Sequence, residues 1–370
     1  MSKKERDFKI LWLSVPGIGR VTFTGIKIFA QSHNLSLQEL WEDSGKHAEG
    51  LKLSKRKQIE LEKFKKNYSV NSYLDSLAEK NIQVVLENDE NYPQLLSGLD
   101  DRPPILFCRG NISLLKHERP FGVVGTRRIT SYGRQVTKLL TQALVERGFL
   151  ITSGFMYGVD SVAHKVAMQF KGPSIGVLGF GFDNFSPLSQ AQFAREFIEV
   201  GNLLITEYAP HLSAHPGSFP LRNRIVAGMS VGILVTEAAK KSGSHITAHR
   251  ALDYGRFVGA VPGPITNEYC EGTKWLINQG AKLVSCVDDI AEDLEFFNEK
   301  CQMKNGKSSF NVKFTNLIEE KIYESLQVES MSADQLVKEI DLEIGEVNQA
   351  LTMLELQGLI ISQGGLWLLK

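Results

Sequence analysis

The feature that most limits the fold of this 370-residue chain is a series of short apolar runs in its middle part. Seven runs follow one another: Phe121–Val124, Phe149–Thr152, Ser174–Leu178, Leu203–Thr206, Val231–Thr236, Phe257–Val261 and Ala281–Ser285. Two more, Ile82–Leu86 and Ile105–Cys108, precede them. They are apolar nearly throughout rather than alternating, which is typical of strands covered by helices on both faces. Because helical patterns follow most of them, the sequence predicts an α/β fold with a Rossmann-like, doubly wound, mostly parallel sheet.

The segments on either side of this sheet lack a strand pattern. Residues 1–70 are predicted to form a small helical domain, and residues 71–299 then form an extended Rossmann-like domain. Residues 300–312 are polar and indicate a linker. Three helical patterns and a short hairpin over residues 313–370 predict a C-terminal winged-helix domain.

The composition of the chain excludes several classes of protein but indicates no binding partner. Lys plus Arg and Asp plus Glu number 42 each, so the net charge gives no sign of a polyanionic partner. The four cysteines fall in no CxxC or Cys/His metal spacing, and no disulfide framework is indicated. No apolar signal run follows the N-terminus, and no stretch is long and uncharged enough to span a bilayer. We therefore expect a cytoplasmic protein without a membrane partner.

The residues directly after the strands are the candidates for ligand binding, because ligands of doubly wound sheets bind at the carboxyl ends of the strands. Glycines there let a backbone approach an anion, and hydroxyl and amide groups coordinate it. Arginine supplies a forked donor for phosphate, and phenylalanine offers a face on which a base can stack. The candidates of these types are Gly125, Thr126, Arg127, Ser153, Gly154, Phe219, Arg222, Asn223, Arg224, Ser242, Gly243, Ser244 and Thr247. This set suits single-stranded nucleic acid, although a single nucleotide could use the same groups.

Several patterns that resemble other sites have simpler structural explanations. The run Gly176-x-x-Gly179-x-Gly181 is not the dinucleotide fingerprint, so no cofactor is expected. His245 and His249 have the spacing of a zinc helix but lack the catalytic glutamate, so no metal site is expected.

Acid–base chemistry is not indicated either. Asp160 and His164 lie four residues apart and are expected to fix a helix by hydrogen bonding rather than to exchange protons with a substrate. Glu207 and Glu237 follow strands and could orient an arginine as easily as act as a base. The sequence contains no recognisable catalytic triad, and we predict no catalytic residue.

Several further motifs, in the same order along the chain, carry a family resemblance. They include Gly125-Thr126-Arg127, Ser153-Gly154-x-x-x-Gly158-x-Asp160, Phe219-Pro220-x-Arg222-Asn223-Arg224, Ser242-Gly243-Ser244-x-Ile246-Thr247 and Val261-Pro262-Gly263. Over about residues 70–295 the chain resembles the DNA-processing protein A family (DprA, also called Smf), whose members commonly carry helical N-terminal and winged-helix C-terminal domains.

The resemblance implies a function that the spacing does not show. Members of this family bind and protect incoming single-stranded DNA in natural transformation, load the RecA recombinase, act as homodimers through the Rossmann-like domain and have no established catalytic activity. Carried over by motif, the expected DNA contacts are the candidate residues at the strand ends, with the loop from Ser242 to Thr247 nearby.

Charge differs between the domains and assigns different partners to them. Residues 121–290 carry sixteen Lys/Arg and twelve Asp/Glu, whereas residues 314–370 carry three Lys and ten Asp/Glu. Because phosphate neutralisation supplies most of the affinity for DNA, the acidic C-terminal domain is expected to contact protein rather than DNA. A surplus of lysine in residues 52–66 favours an accessory DNA contact at the N-terminus. The turn Pro16-Gly17-Ile18-Gly19 resembles that of a helix-hairpin-helix, although a plain helix-breaking turn explains it as well.

Two other classes of protein remain as alternatives. One is a nucleotide-processing enzyme on a Rossmann-like fold, such as a phosphoribohydrolase, although Pro264 stands where its Pro-Gly-Gly loop needs glycine. The other is a structural adaptor that works through the acidic C-terminal domain.

Overall fold

The computed structural model describes residues 2–185, 189–294, 317–328, 331–340, 342–356, 359–363 and 366–369. The chain divides into two compact units, residues 1–300 and residues 301–370. The predicted linker, residues 300–312, lies outside the described residues, as do Gly364 and Gly365 of the predicted hairpin.

The first unit begins with helices whose ends are set by serine caps and a proline turn. They are α1 (Lys3–Ser14), α2 (Arg20–Ser32), α3 (Leu37–Glu42), α4 (Ser44–His47), α5 (Lys55–Asn67) and α6 (Val70–Glu79). Ser36 and Glu39 form a reciprocal capping box at the start of α3. After α1 the chain turns through Pro16 and Gly17, and Gly17 adopts a φ of 85° that favours glycine.

A nine-stranded sheet follows in the described part of this unit. Its strands are β1 (Gln83–Leu86), β2 (Ile105–Gly110), β3 (Pro120–Val124), β4 (Leu150–Ser153), β5 (Ser174–Val177), β6 (Leu203–Thr206), β7 (Gly232–Val235), β8 (Phe257–Ala260) and β9 (Lys282–Leu283). The spatial order is β1-β2-β6-β5-β4-β3-β7-β8-β9. Pairing is parallel from β6 to β9, whereas β2 is antiparallel to both β1 and β6. All nine apolar runs are therefore strands, and the prediction of a doubly wound, mostly parallel sheet is confirmed.

The crossover helices connect these strands. They are α7 (Gln94–Ser97), α8 (Ser131–Glu146), α9 (Val159–Gln169), α10 (Ser189–Glu199), α11 (Ser218–Gly228), α12 (Ser244–Asp253) and α13 (Glu271–Asn278). Strands β3 to β8 are fully buried, which explains why their sequences are apolar on both faces.

The helical N-terminus shares a hydrophobic core with the sheet. Leu11 and Trp12 of α1 belong to one buried cluster with Leu86, Phe107 and Leu204 of the strands. Removal of this apolar surface from water holds α1, α2, α3, α5 and α6 against the sheet.

The second unit has the winged-helix order. Helices α14 (Leu317–Val328), α15 (Ala333–Ile340) and α16 (Ile344–Leu356) precede an antiparallel hairpin of β10 (Ile360–Gln363) and β11 (Leu366–Leu369). Leu336, Val347, Leu351 and Leu354 form part of its own core. Among the helices in the described ranges, none is both long and apolar enough to cross a membrane.

Candidate nucleic-acid interface

A cavity of about 840 Å³ opens at the carboxyl edge of the sheet, and we call it the edge cavity. The neighbouring parallel strands β4, β3 and β7 all end at this edge, because parallel strands share one direction. The candidate residues from the sequence that line it are Gly125, Thr126, Arg127, Gly154, Phe219, Arg222, Asn223, Ser242, Gly243, Ser244 and Thr247. The structure thus brings together residues that are up to 122 positions apart in the sequence, from Gly125 to Thr247.

The cations on the rim of the edge cavity are accessible to a ligand. Arg127, Arg128 and Lys241 are exposed, and their side chains make no hydrogen bond or ion pair with any residue that the structure describes. The guanidinium of Arg127 lies 5.2 Å from the ring centroid of Phe219, within the range of a cation–π contact. A positive group and an aromatic ring therefore stand side by side at the opening.

The loop after β3 is held close to the start of α9, where the amide of Val159 donates to the carbonyl of Thr126 at 3.2 Å. The amide of Thr126 donates to the carbonyl of Glu237 at 2.7 Å, and its Oγ1 accepts from the amide of Arg128 at 3.1 Å. Gly158 has a φ of 82°, and a Cβ there would lie 2.1 Å from the carbonyl oxygen of Thr126. Only glycine at position 158 lets the two segments approach so closely.

One wall of the edge cavity is the loop that leads into α12. The hydroxyls of Ser242 and Ser244 are hydrogen-bonded at 2.8 Å, and Asn223 Nδ2 donates to the carbonyl of Gly243 at 3.3 Å. The first amides of α12 are already engaged: that of Ser244 donates to Ser242 Oγ at 3.4 Å, that of His245 to the carbonyl of Ser242 at 3.2 Å and that of Ile246 to the carbonyl of Gly243 at 3.1 Å. Of the two serine hydroxyls, the one that accepts in this pair can donate its own proton to an anion.

The floor of the edge cavity is a buried charged cluster. Arg222 is 3% exposed, and its Nη1 donates to the carbonyl oxygens of Gly154 and Val177, at the ends of β4 and β5. Burial lowers the pKa of Arg222 to about 10, and Asp160 opposes the shift. Burial raises the pKa of Asp160, which accepts a hydrogen bond from the Met156 amide at 3.3 Å. Arg222 stabilises the strand ends from beneath.

Two of the predicted contacts lie away from the opening. Ser153 is fully buried under the floor and donates to the carbonyl of Val123 at 2.7 Å. Arg224 does not line the edge cavity; it forms an ion pair with Glu207, and both side chains are largely buried. Burial raises the pKa of Glu207, although Arg224 acts in the opposite direction. These two residues support the architecture of the site and do not face its opening.

Glutamate and histidine residues that the sequence singled out also hold structural positions. Glu237 accepts from the amide of Thr130 at 2.8 Å and from its hydroxyl, which fixes the start of α8. His164 does not pair with Asp160; its Nδ1 is hydrogen-bonded to Ser174 Oγ at 2.8 Å, which attaches α9 to β5.

The pair His245 and His249 forms aromatic contacts with Trp275, whose ring centroid lies 5.3 and 5.5 Å from theirs. Among the residues that the structure describes, no group of three or more His, Cys, Asp or Glu side chains could hold a metal ion.

Sequence reasoning missed several lining residues of the edge cavity, among them three that could contact a nucleic acid. Arg128 and Lys241 are adjacent to selected residues, and their charge beside a strand-end loop was an available signal. Tyr269 also lines the cavity, but it follows β8 at a distance and no local pattern marks it.

Comparison with known proteins identifies relatives over most of the chain. Residues 83–295 match the model of the family "DNA recombination-mediator protein A", and residues 315–365 match that of the "DprA winged helix domain". Protein Smf of Escherichia coli is 42% identical over 228 residues, which are 62% of this chain and 61% of that protein. The chain therefore matches less than two thirds of the length of this relative.

Two solved structures are similar to this one. DNA processing protein A from Streptococcus pneumoniae is 30% identical with a TM-score of 0.63, and the match covers 77% of this chain and 97% of that one. DNA processing protein A from Helicobacter pylori is 29% identical with a TM-score of 0.50, and covers 60% and 97%; that structure is described by its single-stranded DNA binding mode. The family resemblance and the winged-helix assignment made from the sequence are confirmed.

Proposed function

The chain belongs to the DNA recombination-mediator protein A family, and on that premise we propose that its edge cavity binds single-stranded DNA. The observation that carries the proposal is the pairing of an unneutralised cation with an aromatic ring at the opening, Arg127 over Phe219. A phosphate needs the first group and a base can stack on the second. The H. pylori relative, whose structure is described by a single-stranded DNA binding mode, supports this choice over a free nucleotide.

The proposed contacts divide into two sets by exposure. Arg127, Arg128 and Lys241 neutralise phosphates, while Phe219 stacks with a base and the Ser242–Ser244 loop donates hydrogen bonds. Arg222 with Ser153 and Gly154 forms the floor that keeps this set in place. Binding is then independent of base sequence and falls with salt.

The finer function that we propose is protection of incoming single-stranded DNA and loading of a RecA recombinase during natural transformation, by a homodimer. The first unit performs the DNA binding. The second unit supplies a protein contact, because α16, the third helix of its winged-helix fold, contains two glutamates and no lysine or arginine. Such a helix lacks the cations that reading a DNA groove requires.

The test is a titration of labelled oligo-dT, followed by fluorescence anisotropy at two salt concentrations. For single-stranded DNA, each phosphate contact contributes about −0.7 to the slope of the logarithm of the binding constant against the logarithm of the salt concentration. Each contact therefore raises the affinity about fivefold when salt is lowered from ~1 M to ~0.1 M. Arg127→Ala is therefore expected to weaken binding about fivefold or more at ~0.1 M salt, and to reduce the slope by about 0.7. Arg195→Ala, an exposed arginine on α10 outside the edge cavity, is the matched control.

Wild-type affinity and slope in Arg127→Ala would remove the proposed site. Competition by a nucleoside monophosphate as strong as that by oligo-dT would instead indicate a nucleotide site. A strand-exchange assay with a RecA recombinase, with and without the protein, tests the finer function; stimulation by the wild type and not by Arg127→Ala is the expected result.

A further inference from the structure

A second cavity, of about 870 Å³, lies on the other side of α11, between the first helices and the sheet. We call it the N-terminal cavity. One wall is the turn Pro16–Gly19 with the first residues of α2 and α5, and the opposite wall includes Leu221 and Arg224 of α11. It is thus bounded both by the basic N-terminal segment and by the helix that carries Phe219.

The acidic side chains of the N-terminal cavity are already engaged. Glu207 is paired with Arg224, and Asp101 accepts a hydrogen bond from the hydroxyl of Tyr254 at 2.8 Å. Glu60 pairs with Lys63 at 3.1 Å. Asp101 keeps its negative charge, but the cations Arg20, Arg56 and Lys57 of this cavity outnumber it and form no ion pair with a described residue.

The cations of the same cavity are the groups open to a ligand. Arg56 is exposed and makes no hydrogen bond or ion pair with a described residue. Arg20 is exposed and donates only to the carbonyl of Asp100, at 3.2 Å. Lys57 also lines this cavity and donates to Thr22 Oγ1 at 2.8 Å. This surplus of accessible positive charge predicts an anionic occupant.

The remaining lining has apolar and aromatic surface. Leu221 is 53% exposed and Val21 is 74% exposed. The Tyr208 ring packs edge-on against that of His215, with the centroids 6.5 Å apart. Donors for phosphate next to apolar faces repeat the chemistry of the edge cavity, and a chain of nucleotides presents both features.

The two cavities are joined by the surface of one helix. Residues 219, 222, 223 and 226 of α11 line the edge cavity, while Leu221 and Arg224 line the N-terminal cavity. A helix is about 10–12 Å across with its side chains, a short distance for an extended strand. We propose that a single strand held in the edge cavity crosses α11 and continues into the N-terminal cavity, where Arg20 and Arg56 bind its phosphates. The inference rests on the proposed function of the edge cavity and assigns the helical N-terminus a part in the same binding.

The test uses the full chain and two lengths of oligo-dT. A strand of about 3 nucleotides, roughly 10 Å long at about 3.4 Å per nucleotide, is too short to cross α11 and fits one site, whereas a strand of about 25 nucleotides reaches both. The double variant Arg20→Ala/Arg56→Ala removes the two proposed phosphate contacts, and Lys4→Ala/Lys66→Ala removes the same charge at exposed positions outside both cavities. Circular dichroism confirms that each variant is folded.

The expected result is a loss confined to the longer strand. Two phosphate contacts correspond to about 25-fold at ~0.1 M salt and to a slope reduced by about 1.4, whereas the short strand binds as to the wild type. Equal affinity of wild type and Arg20→Ala/Arg56→Ala for the long strand overturns the inference, as does an equal loss for both lengths or for the Lys4/Lys66 control.

The variant Arg127→Ala distinguishes a failure of the continuous path from a failure of the proposed function of the edge cavity. If it weakens both lengths while the Arg20/Arg56 variant weakens neither, only the continuous path is refuted. If it weakens neither length, the edge cavity and the path are both refuted.

Discussion

Replacement of Arg222 is expected to destabilise the edge cavity rather than to remove a contact with DNA. In Arg222→Met most of the apolar stem is kept and the cation is lost. The carbonyls of Gly154 and Val177 then have no donor from this side chain. Asp160, a buried residue that lines the edge cavity, loses the cation that most favours its charged form.

The magnitude follows from these contacts. A hydrogen bond to a charged group contributes about 1.5–3 kcal/mol, and breaking a buried charge pair costs about 3–5 kcal/mol. Because one guanidinium makes all of these interactions, they overlap, and the free energy of unfolding should fall by about 3–5 kcal/mol in total. With a urea m-value of about 3 kcal/mol/M, the midpoint falls by about 1–1.7 M.

The assay is urea unfolding followed by circular dichroism, combined with oligo-dT binding in conditions where the variant is folded. The salt dependence of binding should keep its wild-type slope, because no phosphate contact has been removed. Asp160→Asn in the same background should recover part of the stability, since a neutral amide at that position no longer needs the cation. An unchanged urea midpoint together with a slope reduced by about 0.7 would show that Arg222 contacts a phosphate directly, and would refute this reasoning.

Three other predictions concern the fold around the site. Gly158→Ala should lower the free energy of unfolding by about 1–3 kcal/mol more than Gly148→Ala. Both glycines have a positive φ, but only at position 158 would a Cβ meet a backbone carbonyl. Thermal unfolding compares the two variants, and equal losses of stability would contradict this prediction. Burial lowers the pKa of His164 to about 3, so the unfolded chain binds more protons between pH 3 and 6.5 and stability falls as pH decreases through that window. Between pH 7 and 5 the loss from this group is about 2 kcal/mol, and His164→Phe should remove it from urea midpoints measured at both pH values. Deletion of residues 313–370 should leave the affinity for oligo-dT within about twofold, and a larger loss would place a DNA contact in the acidic second unit.

The strands could be predicted because their signal is local. A strand buried on both faces is apolar at most of its positions, and each of the nine runs lies within one or two residues of its observed bounds. The order of the strands is not local information. That β2 pairs antiparallel with β6, and so adds β1 and β2 to the far edge of the sheet, depends on contacts between residues about 100 positions apart.

The site could be predicted to the level of loops but not of side chains. Strand ends gather at one edge in any parallel sheet, and this general rule brought Gly125, Gly154 and the Ser242–Ser244 loop together correctly. Whether an arginine in such a loop meets solvent or the backbone beneath depends on packing. Arg127 and Arg222 both lie in motifs that follow strands in the sequence, yet Arg127 is exposed and Arg222 is only 3% exposed.

The helical spacing of residues within the run from Phe219 to Arg224 is a further signal in the sequence. It forms the first turns of α11, where successive residues are about 100° apart around the axis, so that Arg222 and Arg224 point about 200° apart. Phe219, Arg222 and Asn223 have the i, i+3, i+4 spacing of one helical face, and Arg224 belongs to the face that bounds the N-terminal cavity. Because a helix turns successive side chains to different sides, a run that reads as one basic motif is divided between two cavities. Helical periodicity applied to this segment alone is therefore enough to assign Arg222 and Arg224 to different surfaces.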